Sequence, residues 1–312
     1  MNLQQLEYIV AVDTHRHFVK AAKHCFITQA TLSMMIKKLE EELGVKIFDR
    51  SKVPVMPTDI GYSIIEQARI TLKESKKIEE IVSYQKGTLK GHLRLGIIPT
   101  LAPYLLPLFL QNFLQQYPQV KLHISELNTE TIIKQLEAQR LDAGILATPL
   151  NRQALTETPM FYEQFVVYMA PGNKLIKKKY MLPSDLDINQ LWLLEEGHCL
   201  RNQALNLCEL KKKEAELHHL DYEAGSIETL RKLVKINQGI TIIPELAIAD
   251  LPEAEKDCIR YFKAPAPVRE ISVVTYRHYV KQRLIEALQT MIIKQLPESM
   301  LHANQKMVTG IE

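Results

Sequence analysis

Two of the four cysteines in this 312-residue chain lie close together, Cys199 and Cys208. Four cysteines are too few for a secreted disulfide scaffold, so a close pair favours a redox hypothesis. Cys199 follows an apolar, strand-like run at residues 191–194 and precedes a helix-forming run at residues 201–207. The pattern therefore predicts a thiol at the N-terminus of a helix.

A thiol in that position is expected to have a lowered pKa, because the helix dipole and nearby cations stabilise the thiolate. His198 and Arg201 supply the cations beside Cys199. A thiolate can attack a peroxide to give a sulfenic acid, and a second thiol can then condense with it. The local sequence thus provides the groups that a peroxide-reactive thiol needs.

The spacing also predicts a conformational switch. If the whole interval were helical, nine residues would hold the Cα atoms of Cys199 and Cys208 roughly 13 Å apart. A disulfide tolerates at most ~7 Å between its Cα atoms, so the bond can close only after local unfolding. Oxidation of the pair would therefore force a change of conformation.

Other interpretations of these residues stay open. Free cysteines are often small buried core residues, and both could be structural. Cys199, Cys208, His198 and either His218 or His219 could instead ligate zinc, although their spacing matches no recognised zinc-finger pattern. The remaining two cysteines are expected to be structural or incidental: Cys25 and Cys258.

Charge is distributed unevenly along the chain. Charged residues make up 24% of the sequence and hydrophobic residues 46%, an ordinary globular composition with a formal net charge of +3. Residues 1–90 contain 14 Lys and Arg against 11 Asp and Glu, whereas the remainder contains 25 of each class. The basic excess therefore indicates an anionic partner for the N-terminal part.

Targeting and enzyme motifs are not found. The first residues lack the charged and apolar regions of a signal peptide, and the uncharged run at residues 95–110 is too short for a membrane span and contains three prolines. We therefore expect a cytoplasmic protein without a membrane partner. No glycine-rich phosphate loop, HExxH motif or serine elbow occurs, so an enzyme is not expected; a thiol peroxidase would be the closest enzyme class.

Residues 1–58 have the pattern of a small helical head. Apolar spacing predicts helices near residues 3–10, 16–23 and 29–43, the last capped by Thr28 and ended by Gly44. One apolar stripe is predicted on the third helix, formed by Leu32, Ile36, Leu39 and Leu43. Residues 47–58 then predict a two-stranded wing.

Polar and basic residues are expected on the outer face of the third helix. Small polar groups at the start of an exposed helix suit base edges, and lysines one turn later suit phosphates, as in helix-turn-helix proteins. A plain three-helix bundle with a solvated polar face is the alternative. The candidate DNA-binding residues are Gln29, Ala30, Thr31, Ser33, Met34, Lys37, Lys38 and, in the wing, Arg50.

A long helix is predicted after the head, at residues 59–86, and a hinge at residues 87–91. Its apolar side is loosely heptad, which favours pairing with another helix. Residues 92–312 alternate predicted strands and helices, which favours a mainly parallel α/β sheet. A late strand at residues 271–275 fits a two-lobed domain that the chain crosses twice.

The head resembles the winged helix-turn-helix domain of LysR-type transcriptional regulators. The residues that carry the resemblance are Ala21-Ala22, Thr28-Gln29-Ala30-Thr31-Leu32-Ser33, Ile36-Lys37-Lys38-Leu39-Glu40, Leu43-Gly44, Phe48-Asp49-Arg50 and Thr58-Asp59-Ile60-Gly61. Ala30 departs from the family, in which many members carry proline or serine there. The resemblance implies a two-lobed, periplasmic-binding-protein-like α/β effector domain behind an all-α winged helix-turn-helix domain and a dimerising linker helix.

Within the family, the chain is similar to the peroxide-sensing members. The matching segments are Gly197-His198-Cys199-Leu200-Arg201 with Cys208, Ile98-Pro99-Thr100, Pro103-Tyr104-Leu105-Leu106-Pro107, and Gly239-Ile240-Thr241 with Pro244. By this resemblance Cys199 is the peroxidatic thiol and Cys208 the resolving thiol. Thr100 and Thr129 are expected to bind peroxide, with helix capping as the alternative for each. Arg269 is expected to keep Cys199 ionised, with a surface ion pair as the alternative.

The resemblance also implies partners. They are double-stranded promoter DNA, further copies of the chain in a homodimer or homotetramer, hydrogen peroxide, RNA polymerase, and a thiol reductant that resets the switch. No cofactor and no metal are expected. A competing hypothesis keeps the same scaffold but places a small organic effector between the lobes, with both cysteines structural.

Overall fold

The computed structural model describes residues 1–52, 54–85, 89–187, 190–195, 199–207, 224–249, 251–277, 281–302 and 306–310, with the backbone alone at 73, 76, 77, 79–85 and 306. Its contacts divide the chain into two compact units, Met1–Thr88 and Leu89–Glu312. Each unit buries its own cluster of apolar side chains.

Four helices build the first unit: α1 (Leu3–His15), α2 (Phe18–His24), α3 (Gln29–Leu43) and α4 (Asp59–Gln85). The Thr28 side chain accepts a hydrogen bond from the Thr31 amide, and Gly44 ends α3 in the left-handed conformation, so both predicted caps are confirmed. Leu32, Ile36 and Leu39 are buried as predicted. Leu43 was expected in the same stripe but is 39% exposed, because it lies in the last turn beyond the packed part of the helix.

The predicted wing is present. Strands β1 (Phe48–Asp49) and β2 (Met56–Pro57) pair antiparallel, and α4 starts directly after them. Gly61, in the first turn of α4, lies against the backbone of the wing: a Cβ atom there would be 2.0 Å from the Ile47 carbonyl oxygen. Only glycine permits this close approach.

Part of the apolar side of α4 is used inside the first unit. Ile65 and Ala68 are buried in its core, and Ile64 and Leu72 pack against that core. Because α1 lies alongside α4, the head itself buries this part of the apolar side, which therefore does not require a partner helix from another chain. Ile78 is exposed, and the side chains of residues 81 and 82, which belong to the same apolar side, lie outside the described ones.

Eight strands and seven α-helices are described in the second unit. They are β3 (Gly91–Ile97), α5 (Ala102–Gln116), β4 (Val120–Glu126), α6 (Thr129–Glu137), β5 (Ala143–Thr148), β6 (Leu155–Met169), α7 (Cys199–Leu207), α8 (Ile227–Ile236), β7 (Ile240–Pro244), α9 (Glu253–Lys256), β8 (Ile259–Tyr261), β9 (Ala266–Tyr276), α10 (Gln282–Gln295), α11 (Glu298–Leu301) and β10 (Lys306–Val308). The Ser226 side chain caps α8 by accepting a hydrogen bond from the Thr229 amide.

The sheet is mixed, in the order β4-β3-β5-β9-β6-β7, with β10 beside β9 and β8 beside β6. The first part of β6 pairs with β9, whereas its last residues pair with β7 and β8. The two long strands β6 and β9 therefore connect two lobes, one built on β3, β4 and β5 and the other on β7 and β8. This is the two-lobed α/β architecture that the sequence predicted.

The prediction of a mainly parallel sheet was wrong. β3 runs parallel to β4 and β5, but β9 runs antiparallel to both β5 and β6, and β6 runs antiparallel to β7 and β8. The chain enters the second lobe along β6 and returns along β9, so the returning strand must run in the opposite direction. The order of elements along a sequence does not contain this information.

The strand-like run at residues 191–194 forms only isolated bridges, Leu191 to Ile240 and Leu194 to Ala224. Residues 219–222, which the sequence pattern also predicts as a strand, lie outside the described residues. The uncharged run at residues 95–110 forms the end of β3 and the start of α5, and no described helix has the length and apolarity that crossing a bilayer requires.

Candidate redox site

Cys199 is the first residue of α7 and is only 8% exposed. The predicted position of this thiol at the start of a helix is confirmed. Cys25, Cys199 and Cys258 are free thiols. Cys208 and His198 lie outside the described residues, as do His218 and His219.

Burial raises the pKa of the Cys199 thiol, which is opposite to the direction that the sequence predicted. The Arg269 guanidinium, the Thr129 hydroxyl and the backbone amides of Leu200 and Cys199 all act in the other direction, because they stabilise the thiolate. Removal of the sulfur from water outweighs them. The helix start and the cation are present, but the sequence could not reveal how deeply the thiol is buried.

Arg269, rather than Arg201, is the charged group with the largest effect on Cys199. The Arg201 guanidinium instead donates to the Leu194 carbonyl oxygen at 2.8 Å. It fastens the first turn of α7 to the segment that precedes it. The arginine that favours the thiolate is therefore Arg269, which lies 68 positions after the predicted Arg201.

The Arg269 side chain is fully buried, and each of its three guanidinium nitrogens has a polar partner. Its Nη1 and Nη2 donate to the side-chain and backbone oxygens of Thr100 at 3.0 and 3.2 Å. Its Nε and Nη2 donate to the Glu163 carboxylate at 2.9 and 2.7 Å. The surface ion pair considered as an alternative is therefore wrong, because both Arg269 and Glu163 have no exposed surface.

Glu163 is a site residue that sequence analysis missed. It lies on β6 directly opposite Arg269 on β9, and its other carboxylate oxygen accepts from the Leu246 amide at 2.8 Å. The available signal was a single charged residue within the mainly apolar stretch at residues 160–169. Such a residue needs a buried partner, and Arg269 is the basic residue inside the returning strand.

Neither threonine serves as a helix cap. Leu101 is the N-cap of α5 and no side chain caps it, while Asn128 caps α6 by accepting from the Thr131 amide. Thr100 and Thr129 are both buried. Within the described part of the chain the Thr129 hydroxyl makes no hydrogen bond of ordinary geometry, yet it lies near enough to Cys199 to favour the thiolate.

The structure thus brings four predicted residues into one buried cluster: Cys199, Thr100, Thr129 and Arg269. They come from α7, the β3–α5 connection, α6 and β9, and Glu163 on β6 completes the set. The cluster combines a nucleophile, a cation and hydroxyl donors, which suits attack on a small polar oxidant. Among the described residues, no group of three or more His, Cys, Asp or Glu side chains could hold a metal ion.

The candidate DNA-binding residues share the outer side of α3 and the wing. Gln29, Ala30, Met34, Lys37 and Lys38 are exposed, and Thr31 and Ser33 are half-buried. Arg50 is exposed but engaged, since it donates to the Ser33 hydroxyl at 3.1 Å and to Glu40 at 3.0 Å. The wing is thereby tied to the middle of α3.

Comparison with known proteins places both units of the chain in one family. Residues 3–62 match the bacterial regulatory helix-turn-helix protein of the lysR family, and residues 86–297 match the LysR substrate binding domain. The chain belongs to the LysR family of bacterial regulatory proteins.

Within that family, the chain is similar to OxyR proteins. It is 37% identical to the hydrogen peroxide-inducible genes activator of Pectobacterium carotovorum, over 88% of this chain and 90% of the relative. It is likewise 37% identical to the DNA-binding transcriptional dual regulator OxyR of Escherichia coli, over 88% and 89%. A full-length OxyR mutant from Pseudomonas aeruginosa matches with a TM-score of 0.73 and 34% identity, over 94% of this chain and 98% of that structure.

Proposed function

We propose that this protein is a DNA-binding transcriptional regulator that senses hydrogen peroxide by oxidation of Cys199 and disulfide formation with Cys208. Residues 1–58 bind promoter DNA, residues 59–86 dimerise, residues 87–91 form a hinge, and residues 92–312 form the redox-sensing domain. The main support is the buried cluster of Cys199, Arg269, Thr100 and Thr129 in a chain similar to hydrogen peroxide-inducible activators.

The first chemical step uses the groups of this cluster. The Cys199 thiolate attacks one peroxide oxygen, the O–O bond breaks, and the departing hydroxide takes up a proton to leave as water. Thr100 and Thr129 are placed to position the oxidant with their hydroxyls, and Arg269 stabilises the negative charge on sulfur before the attack. The product is a Cys199 sulfenic acid.

The second step consumes the sulfenic acid. The Cys208 sulfur attacks the Cys199 sulfur, the S–OH bond breaks, and a second water leaves as the disulfide forms. In total, two thiols and one hydrogen peroxide give one disulfide and two waters. A thiol reductant returns the pair to the starting state.

An intact α7 prevents the second step. A helix from Cys199 to Leu207 places these two Cα atoms about 12 Å apart, since each residue rises 1.5 Å. Adjacent Cα atoms are about 3.8 Å apart, so a residue bonded to Leu207 can come no closer than about 8 Å to the Cα of Cys199. A disulfide needs at most ~7 Å, so α7 must unwind at its end before the bond forms. This unwinding is the structural signal that alters how the paired heads contact DNA.

Peptide mapping tests the proposal. After one equivalent of hydrogen peroxide, mass spectrometry of the full chain should find the Cys199 and Cys208 peptides linked, two hydrogens lighter than the separate peptides. Binding to a promoter fragment should change with the same dose. Cys199→Ser and Cys208→Ser variants are the controls and should show no linked peptide. A response to peroxide in a chain lacking both thiols would refute the redox mechanism.

A LysR-type regulator with a small organic effector between the lobes is the second candidate. It is favoured by a comparable likeness to the HTH-type regulator EstR of Acinetobacter baylyi, 33% identical over 88% of this chain, which is not named for peroxide. Alkylation of Cys199 distinguishes the two. It abolishes the response of a peroxide sensor and leaves the response to an organic effector intact.

A further inference from the structure

The helix that carries Cys199 is held at its second turn by a segment that the proposed mechanism does not use. Gln203, one turn beyond Cys199, has no exposed surface, and its Nε2 donates to the backbone oxygen of Thr309 at 3.0 Å. Nearer the end of α7, the Asn206 Nδ2 donates to the Gly310 oxygen at 3.2 Å. Both acceptors are backbone atoms of residues that directly follow β10.

β10 in turn is fixed to the strand that carries Arg269. It pairs in parallel with β9, and Val308 lies beside Val268. The Thr309 amide donates to the Val268 oxygen at 2.8 Å. Residues 306–310, which we name the clamp segment, therefore join α7 on one side to the residue before Arg269 on the other.

The position of these bonds on α7 gives them a specific consequence. Disulfide closure requires α7 to unwind from its end toward Cys199. The Asn206 bond lies in the last turn and the Gln203 bond one turn earlier, so both oppose any unwinding that passes the last residue. Releasing Gln203 breaks a buried hydrogen bond, which opposes the motion. The bonds do not involve Thr100, Thr129 or Arg269, so the attack on peroxide does not require them to break.

We propose that Gln203 is a positioning residue that holds α7 wound through the clamp segment and thereby sets how fast oxidised Cys199 reaches Cys208. This inference rests on the proposed peroxide mechanism. It separates the two steps: sulfenic acid formation depends on the buried cluster, whereas disulfide closure depends on the bond between Gln203 and Thr309. The clamp segment thus determines how long the sulfenic acid persists before the switch is completed.

Two rates test the inference in the full chain. Sulfenic acid formation is measured by dimedone trapping in a Cys208→Ser background, and disulfide closure by rapid acid quench and mass spectrometry with Cys208 present. Gln203→Met removes the donor but keeps the length and burial of the side chain. We expect closure to become roughly three- to tenfold faster, the effect of one net hydrogen bond, with sulfenic acid formation changed by less than about twofold.

Thr309→Val is the matched control. It removes the Thr309 hydroxyl, which makes no hydrogen bond to another described residue, but it keeps the backbone oxygen that Gln203 contacts. Ile292→Val is the control for general loss of stability, because Ile292 is buried in α10, which packs against α5 and β6. Both controls should close within about twofold of the unmodified chain.

The outcomes are distinguishable. If Gln203→Met closes at the unmodified rate, or if either control accelerates closure equally, the role of Gln203 is refuted while the peroxide mechanism stands. If the unmodified chain forms no Cys199–Cys208 bond, both proposals fail. Should Gln203→Met not fold, Asn206→Leu is the substitute, with a smaller acceleration expected because its bond lies nearer the surface.

Discussion

At the scale of single residues, Cys199 is subject to two opposing effects. Burial raises its pKa, whereas Arg269 and Thr129 favour the thiolate. Since burial prevails, most of the thiol is protonated at neutral pH. As long as the pH stays below the pKa, each rise of one pH unit increases the thiolate fraction about tenfold. A buried, mostly protonated thiol favours a small uncharged oxidant over a bulky or charged one.

Loss of the Arg269 charge is expected to slow sulfenic acid formation and to move its pH dependence upward. The unmodified chain should react faster as the pH rises from roughly 6 to 8, because a raised pKa leaves the thiolate as the minor form in this range. In the double variant Glu163→Gln/Arg269→Gln the pKa of Cys199 rises further, so the rate is lower at every pH. Dimedone trapping in the Cys208→Ser background measures both profiles.

The double variant is chosen because Arg269→Gln alone would leave a buried carboxylate unpaired, at a cost of roughly 3–5 kcal/mol. Ile292→Val is the control for a general loss of stability, because it is buried elsewhere and keeps both Arg269 and Glu163, so it should keep the rate and the pH profile of the unmodified chain. A rate for the unmodified chain that is constant across this pH range would mean that Cys199 is already ionised. That result would restore the sequence prediction of a lowered pKa and contradict the burial effect.

At the scale of elements, the junction between the wing and α4 depends on one glycine. In Gly61→Ala the new Cβ would lie 2.0 Å from the Ile47 backbone oxygen. The clash can be relieved only by moving the backbone, because the contacted atom does not belong to a flexible side chain. We expect a loss of about 3 kcal/mol or more in the free energy of unfolding of the first unit. Hydrogen exchange of peptides from residues 1–60 in the full chain measures the loss.

Gly44→Ala is a matched control for that substitution. Gly44 also requires glycine, at a φ of 69°, but a Cβ there meets nothing within 4 Å. It should cost only about 1 kcal/mol, from the left-handed conformation alone. Equal losses for the two variants would contradict the steric argument at Gly61.

The features that the sequence predicted correctly are mostly local. Thr28 and Gly44 mark helix ends through bonds to residues a few positions away, and the start of α7 at Cys199 is equally local. The features it missed depend on distant contacts. Glu163 and Arg269 meet across 106 positions, and Cys199 is buried beside Thr129 and Arg269, each 70 positions away in the sequence.

The predictions for strand direction and for the partner of the apolar side of α4 differ from the structure for the same reason. Alternating strands and helices are compatible with either direction of β9, and an apolar side of α4 can face α1 or another chain. The capping alternatives for Thr100 and Thr129 also could not be decided locally. Each was settled by a neighbour, Leu101 or Asn128, that occupies the cap position instead.

At the scale of the whole molecule, the two units have separate cores. One cluster of buried side chains contains Leu32, Ile36 and Ile65, and the other contains Leu95, Phe109 and Val273. Two cores that share no members are not obliged to unfold together, so two-state behaviour is not expected for the full chain. The only tryptophan, Trp192, belongs to the second unit and reports on that unit alone.

Thermal unfolding is therefore expected to show two transitions by calorimetry, of which Trp192 fluorescence follows one.

Asp142→Asn should lower the temperature of the transition that Trp192 follows, since Asp142 accepts from Arg94 at 2.9 Å and from Lys281 at 2.7 Å. Burial alone would raise the pKa of Asp142, but these bonds outweigh it and lower the pKa. A lowered pKa stabilises the fold at neutral pH, and this contribution is lost as the pH falls below about 4, so the variant and the unmodified chain should converge there. Gly61→Ala should shift only the other transition. One transition seen by both probes, and moved by both variants, would show that the units unfold as one.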